Sequence, residues 1–138
     1  MNVHSKTVRC QTSAQKLYNF LSEFNNFTHL IPSDKVQGWT TTGDTCSFSV
    51  GGFLTLKLAF ADRTPYSRIV IAPATGSGSP VPFKAIVHLK DNGDDSTQVY
   101  MEFESEGGNP MIAMMLKPKL CEMGDKLMEQ LQHFSIGL

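Results

Sequence analysis

The side chains of this sequence that are suited to acid–base or metal chemistry are scattered along the chain. Its histidines are His4, His29, His88 and His133. None of them has a second histidine, a cysteine or a carboxylate at ligand spacing on the same predicted element, as a His-Glu-x-x-His helix does. We therefore predict no metal site and no cofactor, and we interpret His88 and His133, which fall on polar faces, as solvated.

Two further reactive side chains lie on predicted strands. Cys46 alternates in phase with Phe48, so we expect its thiol to point inward as a small apolar group without a base to activate it. Asp62 is in phase with the core-facing residues of its strand and could sit at the rim of a pocket; the alternative is a solvated strand end. Because the inward positions offer no set of acid, base and oxyanion donors, we predict no catalytic residue and favour binding over catalysis.

Two loop segments resemble phosphate and calcium motifs only superficially. Residues 76–79, Gly-Ser-Gly-Ser, lack the Lys-Ser/Thr ending and the following helix of a phosphate loop. Residues 91–95 lack the ligand spacing of a calcium loop. We interpret both segments as turns between strands.

Length and charge limit the class of protein. A chain of 138 residues with 41% hydrophobic residues predicts one domain spanning residues 1–138. Twelve Lys and Arg against thirteen Asp and Glu give a net charge of −1, without the basic excess that nucleic-acid binding requires. Three widely spaced cysteines indicate a reducing compartment. Without a long apolar run or a signal segment, we expect a cytoplasmic protein with no integral membrane association.

The periodicity of apolar residues predicts the order of the elements. A first strand over residues 3–10 precedes a helix that starts at Thr12, with Gln15 at capping-box spacing. A second short helix over residues 24–31 ends at Pro32. The period then changes to two, which predicts antiparallel strands over residues 35–42, 45–50, 53–63, 67–74, 81–90 and 97–105.

The C-terminal segment predicts a long helix that covers the apolar face of this sheet. Asn109 is the expected N-cap and Pro110 the first helical residue, and the helix extends to about residue 134. Its first turns are apolar nearly all round. The predicted core-facing stripe comprises Ile112, Leu116, Leu120, Met123, Leu127, Leu131 and Phe134.

Four segments are similar to one known group of proteins: residues 13–21, Leu30-Ile31-Pro32, residues 44–48, and Gly108-Asn109-Pro110-Met111. With the order of elements, they resemble the START-like (SRPBCC) superfamily, whose helix-grip fold is shared with the major birch pollen allergen and polyketide cyclases. The resemblance implies an α+β fold. It further implies that a seven-stranded antiparallel sheet curls around the long C-terminal helix, that two short helices follow the first strand, and that a cavity is left for an apolar ligand. The sequence looks most like a small bacterial subgroup without assigned activity. Because catalytic members of the superfamily place their polar cavity residues differently from one subgroup to another, no catalytic residue is carried over.

A cavity is also expected on physical grounds, because a seven-stranded sheet is wider than the roughly 10–12 Å of one helix. Five of the seven methionines lie in the final helix, and methionine is common where a surface adapts to apolar ligands. The alternative is an ordinary filled core, and Trp39 is either an aromatic at the cavity mouth or part of an exposed patch. We predict a cavity lined by Phe48, Leu56, Leu58, Phe83, Val87, Met101, Phe103, Met111, Met115 and Leu116.

These observations predict a protein, monomeric or homodimeric, that binds a hydrophobic or amphipathic small molecule of lipid-like or polyketide-like type. Carriage, sensing or sequestration would be its role. One alternative is cyclase- or hydrolase-like chemistry, with Asp62 or His29 as the acid–base group, since the helix of His29 caps the cavity mouth in the resembling fold. A second alternative is a protein-interaction module similar to chaperone-activator domains.

Overall fold

An antiparallel sheet, predicted by the runs of alternating residues, organises the structure. The computed structural model describes residues 2–30, 36–50, 54–74, 83–105 and 110–138. Its elements are β1 (Asn2–His4), β2 (Val8–Cys10), α1 (Ala14–Leu21), a 3₁₀ helix (Phe24–His29), β3 (Val36–Thr42), β4 (Thr45–Val50), β5 (Leu54–Thr64), β6 (Arg68–Pro73), β7 (Phe83–Asp91), β8 (Thr97–Ser105) and α2 (Pro110–Ser135).

Strands β3 to β8 form a simple antiparallel meander, and the N-terminal strands pair with its last strand, β8. Their order is β1-β8-β7-β6-β5-β4-β3, all neighbours are antiparallel, and β2 also pairs with β8. The predicted bounds of β4 and β8 agree with the structure, and those of the other meander strands agree to within two residues. The predicted α+β helix-grip architecture is therefore confirmed.

The predicted first strand is divided into β1 and β2 by a bulge. His4 lies opposite Glu102 and Val8 lies opposite Val99, so four steps along one strand match three along β8. Ser5 bridges the irregular segment, because its hydroxyl accepts a hydrogen bond from the backbone N–H of Met101 at 2.8 Å. The extra residue is needed because Val3 and Val8 are both buried although they are five positions apart, an odd offset that strict alternation would place on opposite faces.

Helix α1 begins one residue later than the capping-box spacing predicts. The hydroxyl of Ser13, not that of Thr12, accepts the hydrogen bond from the backbone N–H of Lys16, at 3.3 Å. Thr12 is buried, and its carbonyl accepts a hydrogen bond from the Thr97 hydroxyl at 2.8 Å, so it belongs to the junction with the sheet. The predicted end of the second helix, at residue 31, lies outside the described residues.

Helix α2 packs against β1, β2 and β8 at one side of the sheet. Its line of closest approach contains Gly124, Met128, Leu131 and Ser135, all buried. A Cβ on Gly124 would lie 3.0 Å from Ser5 Cβ and 3.2 Å from Phe103 Cε2, which shows how closely helix and sheet approach. The predicted stripe is therefore rotated from the line of closest approach. The predicted N-cap Asn109 lies outside the described residues, and α2 continues through Pro118.

Polar contacts fasten the same side of α2 to the N-terminal strands. The carboxylate of Asp125 accepts a hydrogen bond from the backbone N–H of Lys6 at 2.7 Å, and the Gln132 side chain donates to the Arg9 carbonyl at 3.0 Å. Within the described ranges, no helix is both long and apolar enough to cross a membrane.

Candidate ligand-binding site

Several inner-face residues of the sheet are buried. Val87 on β7 and Met101 and Phe103 on β8 are buried, as is Phe48 on β4. All of these were predicted to line a cavity, and all belong to the continuous hydrophobic core. In this structure they form the floor of the apolar interior.

The inner face is less completely covered at β5. Leu56, Leu58 and Phe60 alternate along this strand, pack against the core, and remain only partly buried. The neighbouring positions Thr55 and Lys57 are exposed on the opposite face. The predicted lining residues Leu56 and Leu58 therefore retain accessible apolar surface.

Helix α2 carries a matching row of partly buried residues. Leu120, Leu127 and Phe134 are seven residues apart, so they lie on one side of the helix, next to the line of closest approach. They pack against the same hydrophobic core as the inner residues of β5. Both the helix and the sheet therefore retain accessible apolar surface, and the residues that provide it pack against the same hydrophobic core.

Aromatic side chains from α1 and the 3₁₀ helix pack against the C-terminal end of α2. The ring of Phe134 lies 5.2 Å from that of Phe20 and 5.0 Å from the imidazole of His29, which stacks on it at 18°. His29 itself is exposed, and no hydrogen bond or ion pair joins it to a carboxylate within the described part of the chain. The structure thus shows an aromatic contact for His29, and no acid–base pair among those residues.

The prediction that Asp62 is in phase with the inner residues of β5 is wrong. Phe60 lies opposite Ile71 and Asp62 opposite Val70, so Ala61 is an extra residue in a bulge that reverses the alternation. Asp62 is exposed and accepts a hydrogen bond from Arg68 at 3.2 Å. The alternative, a solvated strand end, is the correct one.

Cys46 has the environment that its alternation predicts. It is buried next to Phe48 on the inner face of β4. Burial raises the pKa of its thiol to about 12, opposed by a hydrogen bond with the backbone of Leu58. Because the thiolate is the reactive form, this cysteine is an inert apolar group.

Trp39 belongs to the inner face, which the sequence left undecided. Its ring stacks on that of Phe48 at 5.3 Å and 23°, and on that of Phe27 at 6.4 Å and 26°. Trp39 is partly buried and lies against the core. It is an inner-face residue that the predicted lining omitted.

The two methionines of the predicted lining are far more exposed than the other lining residues whose side chains the structure describes. Met111 and Met115 are 73% and 67% exposed, which does not agree with the lining of an enclosed cavity. The physical reason is that the described contacts of α2 with the sheet begin near Cys121, more than one turn further along the helix. For Phe83 and Leu116, the structure describes only the backbone, so the prediction for their side chains lies outside the described residues.

The chemistry available to this site is that of apolar contact. Among the residues that the structure describes, no group of three histidine, cysteine or carboxylate side chains is placed to hold a metal ion. The partly buried side chains of β3, β5 and α2 that pack against the core are hydrophobic.

The described geometry matches solved structures of known fold. A START superfamily protein from Mycobacterium smegmatis is similar with a TM-score of 0.68 at 15% identity, over 96% of this chain and 98% of that one. A norcoclaurine synthase mutant from Thalictrum flavum, in complex with a transition-state analogue, gives 0.72 at 13% identity over 99% and 94%. A conserved protein from Geobacillus kaustophilus gives 0.72 at 12% identity over 99% and 96%.

These likenesses establish the fold. The chain has the START-like helix-grip fold that its sequence resembles. No protein-family model matches the sequence, and no curated protein matches it either.

Proposed function

We propose that this protein binds a hydrophobic or amphipathic small molecule between the inner face of the sheet and α2, for carriage, sensing or sequestration. The observation that carries the proposal is the incomplete burial of Leu56 and Leu58 on β5 beside an otherwise well-buried core. Apolar side chains that stay accessible beside a hydrophobic core are typical of ligand sites.

The neighbouring structures support binding of a small molecule by this fold. One of them, norcoclaurine synthase, is described in complex with a transition-state analogue. At 13% identity that likeness transfers no residue and no reaction. Binding is favoured over catalysis here because Asp62 faces away from the inner side and His29 contacts Phe134 rather than an acid.

The proposal is tested first by native mass spectrometry of freshly purified protein, followed by denaturing extraction, to find a co-purifying apolar molecule. In parallel, the fluorescent probe N-phenyl-1-naphthylamine is titrated into protein from which bound lipid has been extracted. We expect saturable binding with increased probe emission, because the probe leaves water for an apolar site.

Substitutions on β5 locate the site. Leu56→Gln and Leu58→Gln place an amide on the inner face, and each should weaken probe binding about tenfold, because burying an unpaired amide costs roughly 1–3 kcal/mol. Lys57→Gln is the matched control, since Lys57 is exposed on the opposite face of the same strand. If Leu56→Gln and Leu58→Gln are folded and bind the probe as tightly as the folded control Lys57→Gln, this location of the site is contradicted.

A further inference from the structure

A bulge in β3 directs Trp39 into the proposed site. Gln37 lies opposite Ser49 and Thr40 opposite Ser47, so Gly38 and Trp39 together face the single residue between them on β4, Phe48. Gly38 has φ +68°, a conformation that glycine adopts without strain. A Cβ at Gly38 would meet nothing within 4 Å, so the glycine is required by the backbone conformation rather than by space.

The bulge has a specific consequence for the indole ring. Without the extra residue, strict alternation would place Gly38 and Trp39 on opposite faces, so that one of the two would point to the outer face. With it, Trp39 lies on the inner face and stacks between Phe48 and Phe27. Bulges commonly re-aim a side chain next to a functional site.

The indole N–H of Trp39 is buried but unsatisfied. Nε1 is buried and has no hydrogen-bond partner among the described residues, so a bound molecule reaches this N–H only by displacing the side chains that cover it. An unpaired buried donor costs about 1–3 kcal/mol, and nearly all buried polar groups in proteins are paired. Phenylalanine at this position would make the same stacking contacts without that cost, so the stacking alone does not explain a tryptophan.

We propose that the indole N–H of Trp39 donates a hydrogen bond to an uncharged oxygen of the bound molecule, so that the ligand class is an apolar molecule carrying a carbonyl, ether or hydroxyl group. This inference rests on the proposed function and specifies the ligand of that same site. An apolar ligand that lacks an acceptor leaves the N–H unpaired and is bound more weakly.

The surroundings of Trp39 favour an uncharged acceptor over a carboxylate. Phe48, on which the indole stacks, follows the buried Cys46 on the inner face of β4. Burial raises the pKa of the Cys46 thiol to about 12, which means that an anion is poorly solvated on this part of the inner face. A carbonyl or hydroxyl oxygen satisfies the N–H without bringing a charge into that environment.

A matched pair of probes tests the inference. The ketone 2-acetylnaphthalene and the hydrocarbon 2-ethylnaphthalene share a ring system and nearly the same shape, and differ in one acceptor oxygen. Trp39 is the only tryptophan of the chain, so its indole N–H gives a single signal in a ¹H–¹⁵N spectrum. We expect the ketone to move this proton signal further downfield than the hydrocarbon does, because only the ketone accepts its hydrogen bond.

The affinities of the two probes provide a second readout. The ratio of the hydrocarbon Kd to the ketone Kd should be about fivefold larger for the wild-type protein than for Trp39→Phe, which corresponds to one net hydrogen bond of about 1 kcal/mol. Tyr100→Phe is the control: it also removes one aromatic polar hydrogen, but Tyr100 stacks on His88 on the outer face of the sheet. Its ratio should equal that of the wild type.

The outcomes separate this inference from the proposed function. If both probes bind and the ratio is the same in wild type and Trp39→Phe, the hydrogen bond is absent and the inference is overturned, while apolar binding stands. If neither probe binds, the proposed function fails and the inference fails with it. If Trp39→Phe does not fold, the shift of the indole proton in the wild type decides alone, and equal shifts with both probes overturn the inference.

Discussion

At the scale of single residues, a polar cluster centred on Glu102 lies on the outer face of the sheet, away from the proposed site. The carboxylate of Glu102 accepts hydrogen bonds from His88 Nε2 and from Asn2 Nδ2, each at 2.9 Å. These two hydrogen bonds, that of His88 first, hold the pKa of Glu102 below its usual value although burial opposes them. Glu102 therefore links the edge strand β1 to β7 and β8.

The lowered pKa of Glu102 predicts a pH-dependent contribution to stability. Because the folded state binds this proton more weakly than the unfolded state, the stabilisation is present above the unfolded pKa of about 4.3 and is lost as pH falls through the lower folded pKa. We expect Glu102→Gln to reduce the free energy of unfolding by about 1 kcal/mol near neutral pH. Urea titrations at a series of pH values should show this difference shrinking below about pH 4.3.

Glu104→Gln is the matched control, since Glu104 lies two residues further along β8 and points to the same face. It should change stability less than Glu102→Gln. A difference between wild type and Glu102→Gln that stays constant down to the acid-unfolded range would contradict the assignment of the hydrogen bonds to the ionised carboxylate.

At the scale of elements, alternation predicted the strands well but did not predict the bulges. In β5, the sequence Phe60-Ala61-Asp62 contains no glycine or other marker, so nothing local shows that Asp62 turns outward. In β3, the threonines around Trp39 provide no contrast between an apolar and a polar face. Gly38 was the available signal, because an isolated glycine within a strand often marks a bulge.

The packing of α2 was also predicted only in part. Leu120, Leu127, Leu131 and Phe134 do reach the core, but the closest approach occurs at Gly124, which a hydrophobic stripe omits because glycine has no side chain. A close approach at a glycine leaves little trace in hydropathy. It depends on a long-range pairing with Ser5 and Phe103 that local periodicity does not contain.

The closeness of this contact predicts the effect of enlarging Gly124. In Gly124→Val, the added Cβ alone meets Ser5 Cβ at 3.0 Å and Phe103 Cε2 at 3.2 Å, so helix and sheet must move apart. We expect a loss of about 1–3 kcal/mol in the free energy of unfolding, measured by urea titration. Gln130→Val, at an exposed position of the same helix, carries the same β-branched side chain without the clash and should cost well under 1 kcal/mol. Similar losses in both variants would show that the two elements are not in close contact.

At the scale of the whole molecule, the location of the proposed site follows from which strands the helices cover. Helix α2 covers β1, β2 and β8, α1 packs on β6 and β7, and the 3₁₀ helix packs on β3. The inner residues Leu56 and Leu58 of β5 remain partly buried. The sequence predicted the class of fold from its order of elements. It did not predict this distribution of cover, because that depends on how whole elements are placed.

The methionines illustrate the same limit of hydropathy. The apolar start of α2 was expected to line the cavity, yet Met111, Met114 and Met115 are exposed, whereas Met128 of the same helix is buried. An apolar side chain indicates that a contact is favourable. It does not indicate whether that side chain is buried in the folded protein.

The most direct test of the account is to observe which side chains a bound apolar molecule touches. Unlabelled N-phenyl-1-naphthylamine is added to protein with ¹³C-labelled methyl groups, and nuclear Overhauser effects between probe and protein are recorded. We expect contacts with the methyl groups of Leu56, Leu58 and Leu127. Contacts confined to the exposed methionines Met111, Met114 and Met115, or to Val70 and Ile86 on the outer face, would contradict it.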